Sequence, residues 1–166
     1  MTPLVHTVYA AMNALYAGDP KRIQHYTKVH SYAAFLGREA GLSDPEQETL
    51  EIAALTHDIA IHHCEALYGH CMGKFQEKHS QEVATPFLQG LGVAPHVIAR
   101  VCFLLSHHHT FVDVDSLDWR ILLEADFLVN GFESQLPPES LAQAHQSVFQ
   151  TPAGKTLCAQ MFGLDG

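Results

Sequence analysis

Apolar residues recur at three- and four-residue intervals along most of this 166-residue chain, and no segment sustains strand-like alternation. That period belongs to helices with one buried face, so the expected class is all-α. Leu4, Val5, Val8, Ala11, Met12 and Leu15 make the first stripe, which Gly18 is placed to end. Asp19 then caps, and Pro20 opens, a second helix to about Ala40, with Ile23, Tyr26, Val29, Ala33 and Leu36 as its apolar face and His30 beside it. Ser43 or Asp44 caps a third helix through Leu50, Ala53 and Ala54, which places His57-Asp58 at a helix end. The stretch from Ile59 to Gly73 has two glycines and weak periodicity, and reads as short turns over a cleft. A helix resumes at Lys74 or Glu77 through His79, Val83 and Phe87, with Pro86 expected to bend or end it. Pro95 starts another, in which Ile98, Val101, Cys102, Leu105 and His108 or His109 share an inward face. Asp115 or Ser116 caps the next, whose apolar stripe from Leu117 to Val129 encloses Asp126. After the Pro137-Pro138 break, a helix from Ser140 to about Gln150 and a short piece beyond Pro152 complete the chain.

Size and charge narrow the function classes. One hundred and sixty-six residues with 47% hydrophobic content suit one domain over residues 1–166, with no room for a separate regulatory domain. The formal charge of −9 and the absence of a basic run argue against duplex nucleic acid as a partner. A small phosphorylated substrate suits this balance better. Apolar runs are too short to span a membrane and Met1-Thr2-Pro3-Leu4 lacks signal-peptide character, so the expectation is a cytoplasmic protein without membrane attachment. Cys64, Cys71, Cys102 and Cys158 have no paired Cys-x-x-Cys spacing, and are expected to be reduced thiols rather than zinc or redox motifs.

Against this helical background stand His30, the pair His57-Asp58, His79, the run His107-His108-His109 and Asp126. Together they offer four to six nitrogen and oxygen ligands from separate helices, the set that one or two hydrolytic divalent ions require. His30 and Asp126 fall in otherwise apolar helices, where an ionised carboxylate is costly without a strong partner. A bound cation removes that cost. The ordinary alternative for each histidine is a hydrogen-bonded core residue or a solvated surface one. Iron, manganese, cobalt, nickel, zinc and magnesium are not separated by such a ligand list.

In this order of residues the chain resembles the HD-domain metal-dependent phosphohydrolase superfamily: a histidine, a His-Asp pair, then a distant aspartate. The matching segments are KVHSYAAFLG with His30, ALTHDIA with His57-Asp58, and ILLEADFLVN with Asp126, so the resemblance covers about residues 20–132. It implies a helical HD core over that span with flanking N- and C-terminal helices, four ligands gathered at one metal, and hydrolysis of phosphomonoester or phosphodiester bonds. Some members add two histidines for a second ion, for which His79 and His108 are placed. In that arrangement Asp58 bridges, His30, His57 and Asp126 hold the first ion, and His79 and His108 the second. His107 and His109 are then expected to support the ligands or contact substrate, and Asp58 to orient the attacking water. Lys74 and Lys78 are the preferred phosphate partners among Arg22, Lys28, Arg100 and Arg120. Many such sites carry a lysine shortly after the His-Asp pair, whereas this chain continues Ile59-Ala60-Ile61-His62-His63.

The leading expectation is metal-dependent hydrolysis of a phosphate ester in a small metabolite or nucleotide. A catalytically weak metal- and nucleotide-binding signalling module is the alternative. A helical interaction domain and di-iron oxygen chemistry stand further back. The outer helices carry apolar faces that either complete the core or form a homodimer.

Overall fold

The computed structural model describes residues 1–164, and within them it contains helices and turns but no strand. Helix α1 spans Pro3–Leu15, α2 Pro20–Glu39, α3 Asp44–Thr56, α4 Ile61–Tyr68, α5 Gly73–Gly90, α6 Pro95–Leu105, α7 Leu117–Glu133, α8 Pro138–Ser147 and α9 Pro152–Phe162. Most starts follow the sequence signals. Asp19 accepts a hydrogen bond from the Arg22 amide with Pro20 in the first turn of α2, and Ser43 with Glu46 forms a reciprocal capping box on α3. Helices α2, α3 and α7 pack together at the centre, α3 also meets α6, and α5 lies on α6. Val5, Val8 and Met12 of α1 and Cys158 of α9 are buried in the same apolar cluster as Leu36, Leu55 and Leu122, so the terminal helices flank and complete this core.

Helices α2 and α3 form an antiparallel hairpin around the Ala40–Ser43 connector, and this hairpin sets the register of the site. Gln47 Nε2 donates to Ala34 O at 3.1 Å, His30 Nε2 lies 3.0 Å from Glu51 Oε2, and His25 Nε2 lies 3.2 Å from His57 Nε2. Each step down α2 is matched by a step up α3, so the C-terminal end of α3 meets the first turns of α2.

Three local expectations are corrected. Residues Ile61–Tyr68 form a two-turn helix rather than turns only, closed by Gly69 in the left-handed region at φ 70°. Pro86 does not end α5, which continues to Gly90. Pro86 is on the exposed face, so the carbonyl one turn earlier that loses its donor is open to water. His107, His108 and His109 lie beyond α6, in the turn that follows Leu105. Among the described residues no helix is long and apolar enough to cross a membrane.

Candidate metal centre

His57 occupies the C-cap of α3, and the following turn presents Asp58. Tyr16, at the end of α1, donates its hydroxyl to the carbonyls of Asp58 and Ile59 at 3.1 and 3.3 Å and pins that turn. Asp126 comes from the middle of α7, with Asn130 one turn later donating to its Oδ1 at 2.8 Å. The fourth member is His25, from the second turn of α2. His25 Nε2 lies 3.2 Å from His57 Nε2, 3.5 Å from Asp58 Oδ2 and 3.3 Å from Asp126 Oδ1, and His57 Nε2 lies 3.5 Å from both carboxylate oxygens.

The hydrogen bonds on the far sides of the rings fix what these atoms are. His57 Nδ1 donates to Ala54 O at 2.8 Å and His25 Nδ1 to Glu133 Oε2 at 2.8 Å, so in the neutral imidazoles both Nε2 atoms carry lone pairs. Four acceptors thus adjoin one another: both imidazole Nε2 atoms lie within 3.5 Å of each carboxylate, and His25, His57 and Asp58 are grouped closely enough to share an ion. With neutral rings the two carboxylates bring two negative charges, which one divalent ion offsets and one proton does not. The residues present fit a divalent metal.

Without metal, protons take its place. Burial disfavours a charged His57, but the Asp58 carboxylate, followed by Asp126, outweighs it and raises the pKa to about 9. His25 is also raised, its hydrogen bond with Asp126 overcoming burial. Asp58 and Asp126 are correspondingly held well below the usual carboxylate range, despite burial, by His57 and by His25 with His57 respectively. The raised His57 contributes stability to the metal-free fold that is complete below the unfolded value near 6.5 and is lost as pH rises through about 9. Metal binding requires its neutral form. Titration calorimetry across buffers of different ionisation enthalpy should therefore show proton release on metal uptake at pH 7 to 8, and apparent affinity that climbs with pH and flattens above about 9. Uptake without proton release at neutral pH would contradict this linkage.

A second acceptor group adjoins the first. His108 is fully buried, donates Nδ1 to Leu105 O at 2.6 Å and turns Nε2 toward Asp58 Oδ1 at 3.5 Å. The His109 ring lies 3.9 Å from that of His108, and Asp58, His108 and His109 are grouped closely enough to share an ion. Burial, then the neighbouring His108, pushes His109 down to about 4, so its ring is neutral at physiological pH. Glu77 of α5 holds this turn, its Oε1 accepting from the His109 amide and the Thr110 hydroxyl at 2.9 Å each.

Several residues expected at the centre lie elsewhere. His30 is buried against Glu51, 140° around α2 from His25 on an ideal helix of about 100° per residue. His79 is committed on both ring nitrogens, to Glu82 Oε1 and the Tyr68 hydroxyl at 2.8 Å each, and groups with His63 and Glu82 instead of His108. His107 hydrogen-bonds Phe103 O at 2.7 Å, stacks on the Phe103 ring and lines a separate groove between α5 and α6. Lys74 and Lys78 are exposed on α5 and do not line the cavity over the cluster. That cavity, of about 200 Å³, is bounded by His25, Asp58 and Asp126 below, Gln76 and His109 on one wall, Asn130, Glu133 and Ser134 on another, and Lys21 and Arg22 at the rim. The structure does bring His57, Asp58, His108, His109 and Asp126 together.

No protein-family model and no curated protein matches the sequence. Among solved structures the chain is similar to one described as a predicted HD superfamily hydrolase from an uncultured Thermotogales bacterium, with a TM-score of 0.63 and 23% identity over 96% of this chain and 83% of that one. The chain shares the helical fold of that structure. The histidine that adjoins His57, Asp58 and Asp126 in this chain is His25. Sequence reasoning missed His25 together with its outer partner Glu133, whose other oxygen takes Lys28 Nζ at 2.6 Å. The signal was available in the short α2–α3 connector, since antiparallel pairing outward from Ala40–Ser43 brings His57 level with the first turns of α2 and Glu51 level with His30.

Proposed function

We propose that this protein is a metal-dependent phosphohydrolase acting on a small phosphorylated metabolite or nucleotide. The observation that carries the proposal is the pair of imidazole nitrogens of His25 and His57, each within 3.5 Å of both the Asp58 and the Asp126 carboxylate, at a cavity that Lys21 and Arg22 also line. A divalent ion held by His25, His57, Asp58 and Asp126 would supply Lewis acidity, lowering the pKa of bound water toward neutrality and offsetting charge on phosphoryl oxygens. Asp58 presents Oδ2 to the four-atom cluster and Oδ1 to His108, so its carboxylate orients whatever binds between the two groups, including the attacking water. Lys21 and Arg22, the latter 3.4 Å from Glu65, line the cavity and are placed to bind the phosphoryl oxygens. The segment after the His-Asp pair is buried and apolar at Ile59-Ala60-Ile61, and the rim cations of α2 supply the positive charge that a lysine there would bring. Two hundred cubic ångströms admit a phosphate and its nearest substituents while the remainder of a larger substrate stays outside.

The test is phosphate release from a panel of nucleotides and simple esters, with metal-free and metal-loaded protein. Metal-dependent release supports the enzyme. Tight nucleotide binding without turnover would assign the site to a signalling module, and neither binding nor turnover would contradict both. Arg22→Ala is expected to raise KM roughly 10- to 100-fold, the worth of one hydrogen bond to a charged group, with a smaller change in kcat. Lys74→Ala and Lys78→Ala should leave both constants near wild type, and a larger effect at either lysine than at Arg22 would overturn this placement of the phosphate.

A further inference from the structure

Helices α4 and α5 meet through a group of ligand-type side chains that shares no residue with the His25 cluster. His63 comes from the first turn of α4, and His79 and Glu82 from α5, where a spacing of three residues puts both on one face. Glu82 Oε1 lies 2.7 Å from His63 Nε2 and 2.8 Å from His79 Nδ1, and the two ring centroids are 5.2 Å apart. One nitrogen from each ring and one carboxylate oxygen are thus grouped closely enough to share an ion.

Hydrogen bonding accounts for only half of this arrangement. His79 Nδ1 is aligned with Glu82 Oε1 and hydrogen-bonds to it. The His63 side chain is 37% exposed, but its Nε2 atom is buried and, although closer to the same oxygen, has no hydrogen-bond partner among the described residues. A buried ring nitrogen in that state is uncommon, and a contact with a carboxylate oxygen that is not aligned for a proton stabilises neither group. Ligands of one cation stand in that relation: their lone pairs point at the ion, so neighbouring ligand atoms lie close without facing each other. The far side of His79 suits the same role. Its Nε2 lies 2.8 Å from the Tyr68 hydroxyl, so when Nδ1 gives up its proton, Nε2 keeps one and donates it to that oxygen. Tyr68 itself packs on Phe75, with ring centroids 4.6 Å apart.

We infer that His63, His79 and Glu82 form a separate divalent-cation site, suited to Zn2+, that clasps α4 to α5. Two imidazole nitrogens and one carboxylate oxygen make a three-ligand zinc set with a position left for water. Glu82 is 56% exposed, so the ion enters directly from solvent. That exposure and the single carboxylate make this ion weaker and more exchangeable than one at the buried His25 cluster, where two carboxylates contribute. The clasp also bears on the cavity. Ile61, two residues before His63, and Gln76, one turn before His79, both line the cavity beside Asp58, so holding α4 on α5 steadies that wall.

The experiment follows Zn2+ uptake by calorimetry and hydrogen exchange of the α4 amides in His25→Ala, alone and combined with Glu82→Gln or with His63→Ala. His25→Ala removes the tight centre and is expected to retain one weakly bound Zn2+ per chain, whose addition slows exchange across Ile61–Tyr68. Glu82→Gln, which keeps shape and removes charge, and His63→Ala should each weaken that ion at least 10-fold and abolish the slowing. In the wild-type background the same two substitutions should remove the weaker ion and leave the tighter one unchanged, so the test does not depend on how well His25→Ala folds. Absence of a weaker Zn2+ in both backgrounds overturns the inference. So does a weaker ion that Glu82→Gln and His63→Ala both leave unchanged, which would place it with Asp58, His108 and His109.

Discussion

His25→Ala is expected to abolish tight metal binding, and His30→Ala to preserve it, although both histidines are buried in α2. Removing His25 deletes one corner of the cluster and frees Glu133 from its hydrogen bond with the ring. Loss of an outer partner alone costs roughly 10- to 100-fold in metal affinity, so loss of the ligand itself should exceed that range. His30→Ala acts on stability instead, since it leaves Glu51 Oε2 buried without the ring 3.0 Å away. An unsatisfied buried acceptor costs about 1–3 kcal/mol, a fall in Tm of roughly 3–10 °C for a chain of this length. Metal content and thermal melts of both variants check the pair. A His30→Ala protein that melts normally but carries no metal would reverse the assignment.

Asp58→Ala should produce the greatest loss of turnover, because this side chain touches both acceptor groups through different oxygens. Without it the first cluster loses a charged corner, the attacking water loses its orienting carboxylate, and His57 loses the principal charge that raises its pKa. Individual contributions from a general base or a fixed charge run from about 10² to 10⁴ in rate, so kcat/KM should fall by at least ~10³. Asp58→Asn preserves shape and tests charge. It should retain the fold and still lose most of the activity; near-normal turnover in Asp58→Asn would show that the carboxylate is not part of the chemistry.

The helices were legible because their apolar faces and their ends are both written locally. Asp19-Pro20, Ser43 with Glu46, and Pro95 each mark a start, and the structure begins α2, α3 and α6 there. Helix α4 was obscured because it buries only Ile61 and Cys64, too few positions to display a period, and because Gly69 is its left-handed terminus as well as a turn signal. At the site, the cost of an unpaired carboxylate among apolar neighbours was enough to single out Asp126, which the structure brings to His57. Choosing between His25 and His30 needed more than residue type. Only tertiary register, the pairing of α2 with α3, distinguishes the ring that meets His57 from the ring that meets Glu51. Lys21 was missed, and Arg22 was ranked behind Lys74 and Lys78, for a related reason: both are distant in sequence from the His-Asp pair, and the same hairpin brings them to the cavity that Asp58 lines.

The most direct test of the central claim is anomalous diffraction from crystals of Mn2+-loaded protein. The account predicts a strong peak about 2.1 Å from His25 Nε2, His57 Nε2, Asp58 Oδ2 and Asp126 Oδ1. A peak beside His30 and Glu51, or no peak in any of these positions at saturating Mn2+, would contradict it.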